Sequence, residues 1–284
     1  MTTLRQAVNA TLSAALVGAA IVVAPEVLVP LAIAGAAAAS IEVLRPLHPQ
    51  RRTRAAFATD LVHAVGNRFI QVPAAVAALT VLGPLATWAV PGTIRTGLHA
   101  LPWWVASVVV FVLSDLANYF GHRAMHGVPL LWRLHAVHHS SEQLDWLATA
   151  RAHPADQAFT VTITALPAIA LGVLDAQPWL LTLLFVYYPF LSHANADLHL
   201  PRIERVVVTP RFHHWHHAAV ARATNFGGFL AVWDHLFGTA HAPAGFPDRY
   251  GIDGTTLDRA NYLGHLLSPT TTLEQTNLAV QTGP

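Results

Sequence analysis

Residues Thr209–His217 read TPRFHHWHH, and within them His213, His216 and His217 stand at i, i+3 and i+4. On an α-helix these offsets share one face, so three imidazoles point the same way. Imidazole is a good ligand for iron, copper, zinc and nickel, and a facing trio is half of a metal cage. Upstream, LWRLHAVHHS at Leu131–Ser140 repeats the spacing with His135, His138 and His139. FGHRAMH adds His122 and His126, four apart. Eight of the chain's 18 histidines thus fall into three helical clusters, and the repetition argues against accidental neighbours. A closed zinc site takes four ligands, so this many neutral imidazoles point to two ions.

The surroundings of these clusters are apolar. The 284 residues are 54% hydrophobic and 11% charged, with a mean hydropathy of +0.44. A soluble domain carries about 25% charged residues, so the chain reads as an integral membrane protein. A net charge of +1 gives no electrostatic case for nucleic acid. Cysteine is absent, which excludes disulfides, thiolate-ligated haem, iron–sulfur clusters and cysteine-ligated zinc.

Thr11–Ser40 is expected to form one kinked span, or a hairpin turning near Pro25. Arg45–Arg54 carries four arginines, which the positive-inside rule places in the cytoplasm. Phe57–Trp88 then runs outward, Pro91–Leu98 reads as a short turn, and Trp103–Tyr119 returns. His122 therefore emerges on the cytoplasmic side. Ala158–Leu174 and Trp179–Leu191 are expected as a last pair of short apolar helices, after which the chain emerges again near His193. The arginines of the intervening loops agree, and all clusters meet at one membrane face. A further helix is expected around Thr256–Leu267. The divisions expected are 1–56 (N-terminal span or spans and basic loop), 57–240 (membrane-embedded catalytic domain) and 241–284 (C-terminal tail).

Taken together, HRAMH at 122–126, LWRLHAVHHS, TPRFHHWHH and NFGGFLAVWDHLFGT at Asn225–Thr239 resemble the fatty acid hydroxylase and sterol desaturase superfamily of membrane di-iron oxygenases. Asp115, Tyr119 and the run Arg151-Ala152-His153-Pro154 fit the same pattern. The resemblance covers roughly Asp115–Thr239. It implies two iron ions, Fe2+/Fe3+, with O2 as co-substrate. It also implies hydroxylation or desaturation of an unactivated C–H bond in a lipid, whether fatty acyl, sterol or related isoprenoid. The expected ligands are His122, His126, His135, His138, His139, His213, His216 and His217. The family adds His193, and His199 is left open because Asp197 stands where some members carry a second histidine. Asn195 resembles an asparagine that recurs near the site.

Asp115, seven residues before His122, is expected to accept a proton from a ligand imidazole, and Asp234 to act likewise. His214 is rotated about 100° from His213 and is expected to face elsewhere, so that its loss is mild. His48, His99, His241 and His265 read as histidines without cluster partners. Trp132, Trp146, Phe185, Tyr187 and Tyr188 are candidates for a substrate slot, with interface packing as their plainer use. Peptidase, nucleophile-elbow and carboxylate-rich di-iron motifs are missing. The fold class expected is all-α: an integral, multi-pass membrane protein whose cap of short helices faces the cytoplasm and holds the dimetal site. With no fused redox domain in view, electrons are expected from a separate donor, a ferredoxin, a cytochrome b5-like protein or a reductase. Two rivals stand beside this reading. A metal-transport protein would line its histidines along a pore, and a metal-dependent membrane hydrolase would work without oxygen.

Overall fold

The computed structural model describes residues 25–49, 56–173, 185, 187–198, 200–219, 223–253, 257 and 261–268. Its α-helices are α1 (Pro25–Leu44), α2 (Phe57–Gly66), α3 (Arg68–Ala89), α4 (Gly92–His99), α5 (Trp103–Gly127) and α6 (Pro129–His139). They continue as α7 (Pro154–Ala170), α8 (Tyr188–Ser192), α9 (Pro210–His216), α10 (Val232–Leu236) and α11 (Tyr262–Leu267). Among the described residues there is no strand, only isolated bridges such as Val207 with Leu230. The chain is helical, as its composition implies.

Proline starts several of these helices. Pro129, Pro154 and Pro210 occupy the first turn of α6, α7 and α9, where the missing N–H costs nothing. Thr209 caps α9, its hydroxyl oxygen accepting the Phe212 N–H at 3.3 Å. The starts of α6 and α9 fix where the His135 and His213 clusters fall on their helices.

α7 packs along both α3 and α5. Two apolar helical stretches, 57–89 and 103–127, are long enough to cross a membrane. Val72, Val76, Leu85 and Trp88 on α3, and Trp103, Trp104 and Val108 on α5, are exposed. A helix that turns large apolar side chains outward suits lipid better than water.

Four segments differ from the sequence reading. Pro91–Leu98 is not a turn. Pro91 sets the entry, its carbonyl accepts from Ile94 and Arg95, and the Arg95 guanidinium reaches back to Val90 O at 3.1 Å, which closes α4. The stretch from Phe57 is two helices joined at Asn67, whose side-chain amide donates to Ala152 O at 2.9 Å and Gln157 Oε1 at 3.0 Å. α5 runs past Tyr119 to Gly127, so one unbroken helix carries Asp115, His122 and His126. Finally, His265 has a partner: its Nδ1 lies 2.8 Å from His63 Nε2 in a fully buried pair that ties α11 to α2. The part of Thr11–Ser40 before Pro25, most of Trp179–Leu191, and His199 lie outside the described residues.

Candidate metal centre

Three short helical segments and one turn deliver the imidazoles. His122 and His126 come from the last turns of α5, His135, His138 and His139 from α6, His213 and His216 from α9, and His217 from its C-cap. His193 follows α8. The structure brings these nine together in two sets. His122, His126, His135, His139 and His216 form one, and His138, His193, His213 and His217 the other, with the ligating atoms of each set within 4.8 Å of one another.

The tautomers decide what the sets can hold. His138 Nδ1 donates to Arg151 O at 2.9 Å, and His193 Nδ1 donates to Pro189 O at 2.8 Å. A neutral imidazole has one N–H, so both Nε2 atoms carry bare lone pairs. Those two Nε2 atoms stand 3.1 Å apart. The other set repeats the arrangement. His122 Nδ1 donates to Phe226 O at 2.9 Å, His135 Nδ1 donates to the Asp156 carboxylate at 2.9 Å, and their Nε2 atoms are 3.1 Å apart. His216 Nδ1 donates to Thr224 O at 2.7 Å, which leaves a buried Nε2 with no hydrogen-bond partner.

Facing lone pairs repel unless a proton or a cation lies between them. Burial opposes the proton. It drives His139, His213, His216 and His217 well below the ordinary imidazole range, and neighbouring histidines push the same way. A divalent cation removes the conflict, because nitrogens bound at about 2.0–2.1 Å to one ion stand roughly 3 Å apart. The donor set fits two ions of borderline, imidazole-favouring metals such as iron or zinc.

The two carboxylates expected to hold ligand imidazoles fall elsewhere. Asp115 takes the Phe229 and Leu230 N–H groups at 3.0 Å each and the Trp233 indole N–H at 2.8 Å. Asp234 takes the N–H groups of Phe226 and Gly227 at 2.7 and 2.8 Å and the Thr239 hydroxyl at 2.6 Å. Both therefore anchor the 225–239 loop and touch no imidazole of the cage. Asn195 bonds the backbone of His48 through both ends of its side chain. The acid that does hold a cage imidazole is Asp156, which the sequence reading passed over. Its only signal was its place just after Arg151-Ala152-His153-Pro154.

The loop anchored by Asp115 and Asp234 has little room. A Cβ on Gly227 would meet Leu230 O at 2.6 Å, and one on Gly228 would collide with Asn118 Nδ2. Asn225 adopts φ 59°, a region asparagine tolerates better than most residues. Its side chain donates to Phe212 O at 2.8 Å and His241 O at 2.7 Å and accepts the His241 N–H at 2.7 Å. Asn225→Ala therefore strands the buried Phe212 carbonyl and frees the backbone of exposed His241, and is expected to cost about 1–3 kcal/mol, the range for one buried unsatisfied group. The Phe226 carbonyl that orients His122 moves with it. Thermal unfolding in detergent and metal content check this, and an unchanged midpoint with full metal would refute it.

His214 does turn away from the cage. It is fully buried, with Nδ1 2.8 Å from the Tyr250 hydroxyl and Nε2 donating to Ala194 O at 3.0 Å. Its replacement by alanine would remove these two hydrogen bonds and leave a cavity beside His193.

With this geometry in hand, the comparisons agree with the resemblance. Residues 107–239 match the fatty acid hydroxylase family, a stretch that contains all nine histidines and the anchored loop. The ornithine lipid hydroxylase OlsE of Rhizobium tropici is 33% identical over 172 residues, which cover 59% of this chain and 51% of that protein. The alkylglycerol monooxygenase of Homo sapiens is 32% identical over 153 residues, covering 51% of this chain and 33% of that protein. The very-long-chain aldehyde decarbonylase GL1-6 of Oryza sativa subsp. japonica is 30% identical over 158 residues, 49% of this chain and 24% of that protein. The chain spans about half the length, or less, of these curated relatives. No solved structure matches it.

Proposed function

We propose that the fatty acid hydroxylase family segment carried at residues 107–239 works here as a di-iron, O2-dependent oxidoreductase that hydroxylates or desaturates an unactivated C–H bond of a lipid. One observation carries the reading: in each histidine set, imidazoles with their Nδ1 protons committed elsewhere aim bare Nε2 atoms at one another 3.1 Å apart. The names of the relatives, which include a lipid hydroxylase and a monooxygenase, support lipid oxidation. Iron held by these histidines supplies activation of O2 for attack on a C–H bond.

The protein's own residues do the rest. The carbonyls of Phe226, Arg151, Pro189 and Thr224 and the Asp156 carboxylate each take one Nδ1 proton, fixing ring orientation and raising ligand basicity. The cage is buried, which excludes bulk water from the reacting centre. Electrons come from a separate donor in this reading. The outward apolar faces of 57–89 and 103–127 support a multi-pass membrane protein, and the arginine distribution supports a cytoplasm-facing site. A lipid then approaches the metals from the bilayer.

The test supplies a reducing partner, NAD(P)H and Fe(II). Turnover is expected to require O2, with label from 18O2 entering a hydroxylated product and none entering a desaturated one. Product that forms without oxygen, or that takes 18O only from water, overturns the oxygenase assignment.

A further inference from the structure

A cavity of about 210 Å3 adjoins the metal centre, and His122, His135, His138, His193 and His213 line it. Of the five aromatic residues expected to wall a slot, only Phe185 does so among the described residues. The same cavity is lined by Arg68, Gln71 and Gln157, side chains that the metal site does not use. Their hydrogen bonds leave a one-sided chemistry. Gln157 Oε1 accepts from Asn67 at 3.0 Å, and Gln71 Oε1 accepts from Arg68 Nη1 at the long distance of 3.5 Å. What these glutamines keep for a ligand are their NH2 donors, with the amide orientation set by those bonds.

Arg68 is half-buried beside this cavity, and among the described residues no carboxylate forms an ion pair with it. The acid in the cavity wall, Asp156, is taken by His135. A guanidinium partly out of water and flanked by further donors is suited to an oxyanion, which it can meet with two parallel bonds. The space is also too small for a whole lipid, since pockets for drug-sized ligands begin near about 300 Å3. A polar group and a few carbons fill it, and the rest of the molecule extends outward.

We infer that Arg68, with Gln71 and Gln157, binds an anionic oxygen group of the lipid substrate, a carboxylate or a phosphate ester, so that oxidation falls on a carbon a few bonds from that group. The inference rests on the lipid-oxidation reading above and names the substrate class for it. Binding is measured without turnover. Full-length, iron-loaded protein in detergent is kept anaerobic and titrated with a brominated fatty acid, its methyl ester and a brominated phosphatidic acid, reading tryptophan quenching. The acid, the phosphatidic acid or both are expected to bind at least tenfold more tightly than the ester, and which of them does so identifies the oxyanion. Arg68→Gln is expected to abolish that preference, and Arg68→Lys to retain part of it. Equal binding of all three ligands to the wild type overturns the inference, and so does an iron-loaded Arg68→Gln protein that keeps the preference. If Arg68→Gln fails to hold iron, the wild-type comparison and Arg68→Lys decide. Anion-selective binding followed by no oxygen-dependent product sinks the oxygenase reading and leaves the binding assignment standing. Oxygen-dependent turnover without anion preference does the reverse.

Discussion

Alanine in place of His138 or His216 is expected to strip metal from the protein and abolish turnover while leaving its helices intact. The two residues belong to different sets, so each variant tests one ion. Anaerobically purified wild type is expected to hold about two iron ions per chain, ligated mainly by nitrogen at about 2.0–2.2 Å. Each variant is expected to fall to about one ion or fewer, with turnover reduced by more than about 100-fold, because loss of an outer partner alone costs 10–100-fold. The fold survives because the helices rest on apolar packing and internally satisfied backbone. Far-UV circular dichroism, iron analysis and X-ray absorption check the three parts. Wild-type iron in either variant, or a haem spectrum, refutes the assignment. Zinc after aerobic expression does not, since zinc competes well for imidazole.

The partition into sets shows how far the sequence could be read. Spacing alone put His135, His138 and His139 on one helix face, because i, i+3 and i+4 coincide on a period of 3.6. Spacing does not say that His139 turns to His126 and His216 while its neighbour His138 turns to His193 and His217. That choice depends on how α6 is wedged between α5 and α9, a tertiary relation that no local period encodes. Asp115 illustrates the opposite error. It shares a face with His122, but seven residues of helix rise about 10 Å, too far for a hydrogen bond. The loop 225–239 folds back beneath it and takes the carboxylate. Asp156 was missed for a related reason: His135 lies 21 residues earlier, and only the packing of α7 on α6 joins them. The helical class and the three clusters were legible because they depend on local periodicity and composition. α4 was not, since its Gly/Pro-rich start resembles a turn until Arg95 reaches the end of α3.

The second large effect is expected at Asp60, a residue that touches no ligand. Its carboxylate meets Arg151 Nε at 2.6 Å, and both side chains are fully buried. Asp60→Asn removes the charge that meets the guanidinium, and breaking a buried ion pair by removing one partner costs about 3–5 kcal/mol. The damage extends to the metal because the Arg151 carbonyl accepts the Nδ1 proton of His138. If the backbone at Arg151 shifts to let its side chain reach water, His138 loses the bond that fixes its tautomer. Iron affinity of the set holding His138 is then expected to fall 10–100-fold, the range for an outer partner, while the set holding His216 is less affected. A double variant, Asp60→Leu with Arg151→Met, separates the two causes. It removes both charges and keeps the carbonyl, and apolar replacement of a buried pair is often neutral or stabilising. Stability and iron affinity are both expected to recover toward wild type in the double variant. Thermal unfolding and iron titration in detergent read the two quantities. A single Asp60→Asn protein with wild-type stability, or a double variant that regains its stability but not its iron, would show that the pair does not hold His138 in the way its geometry implies.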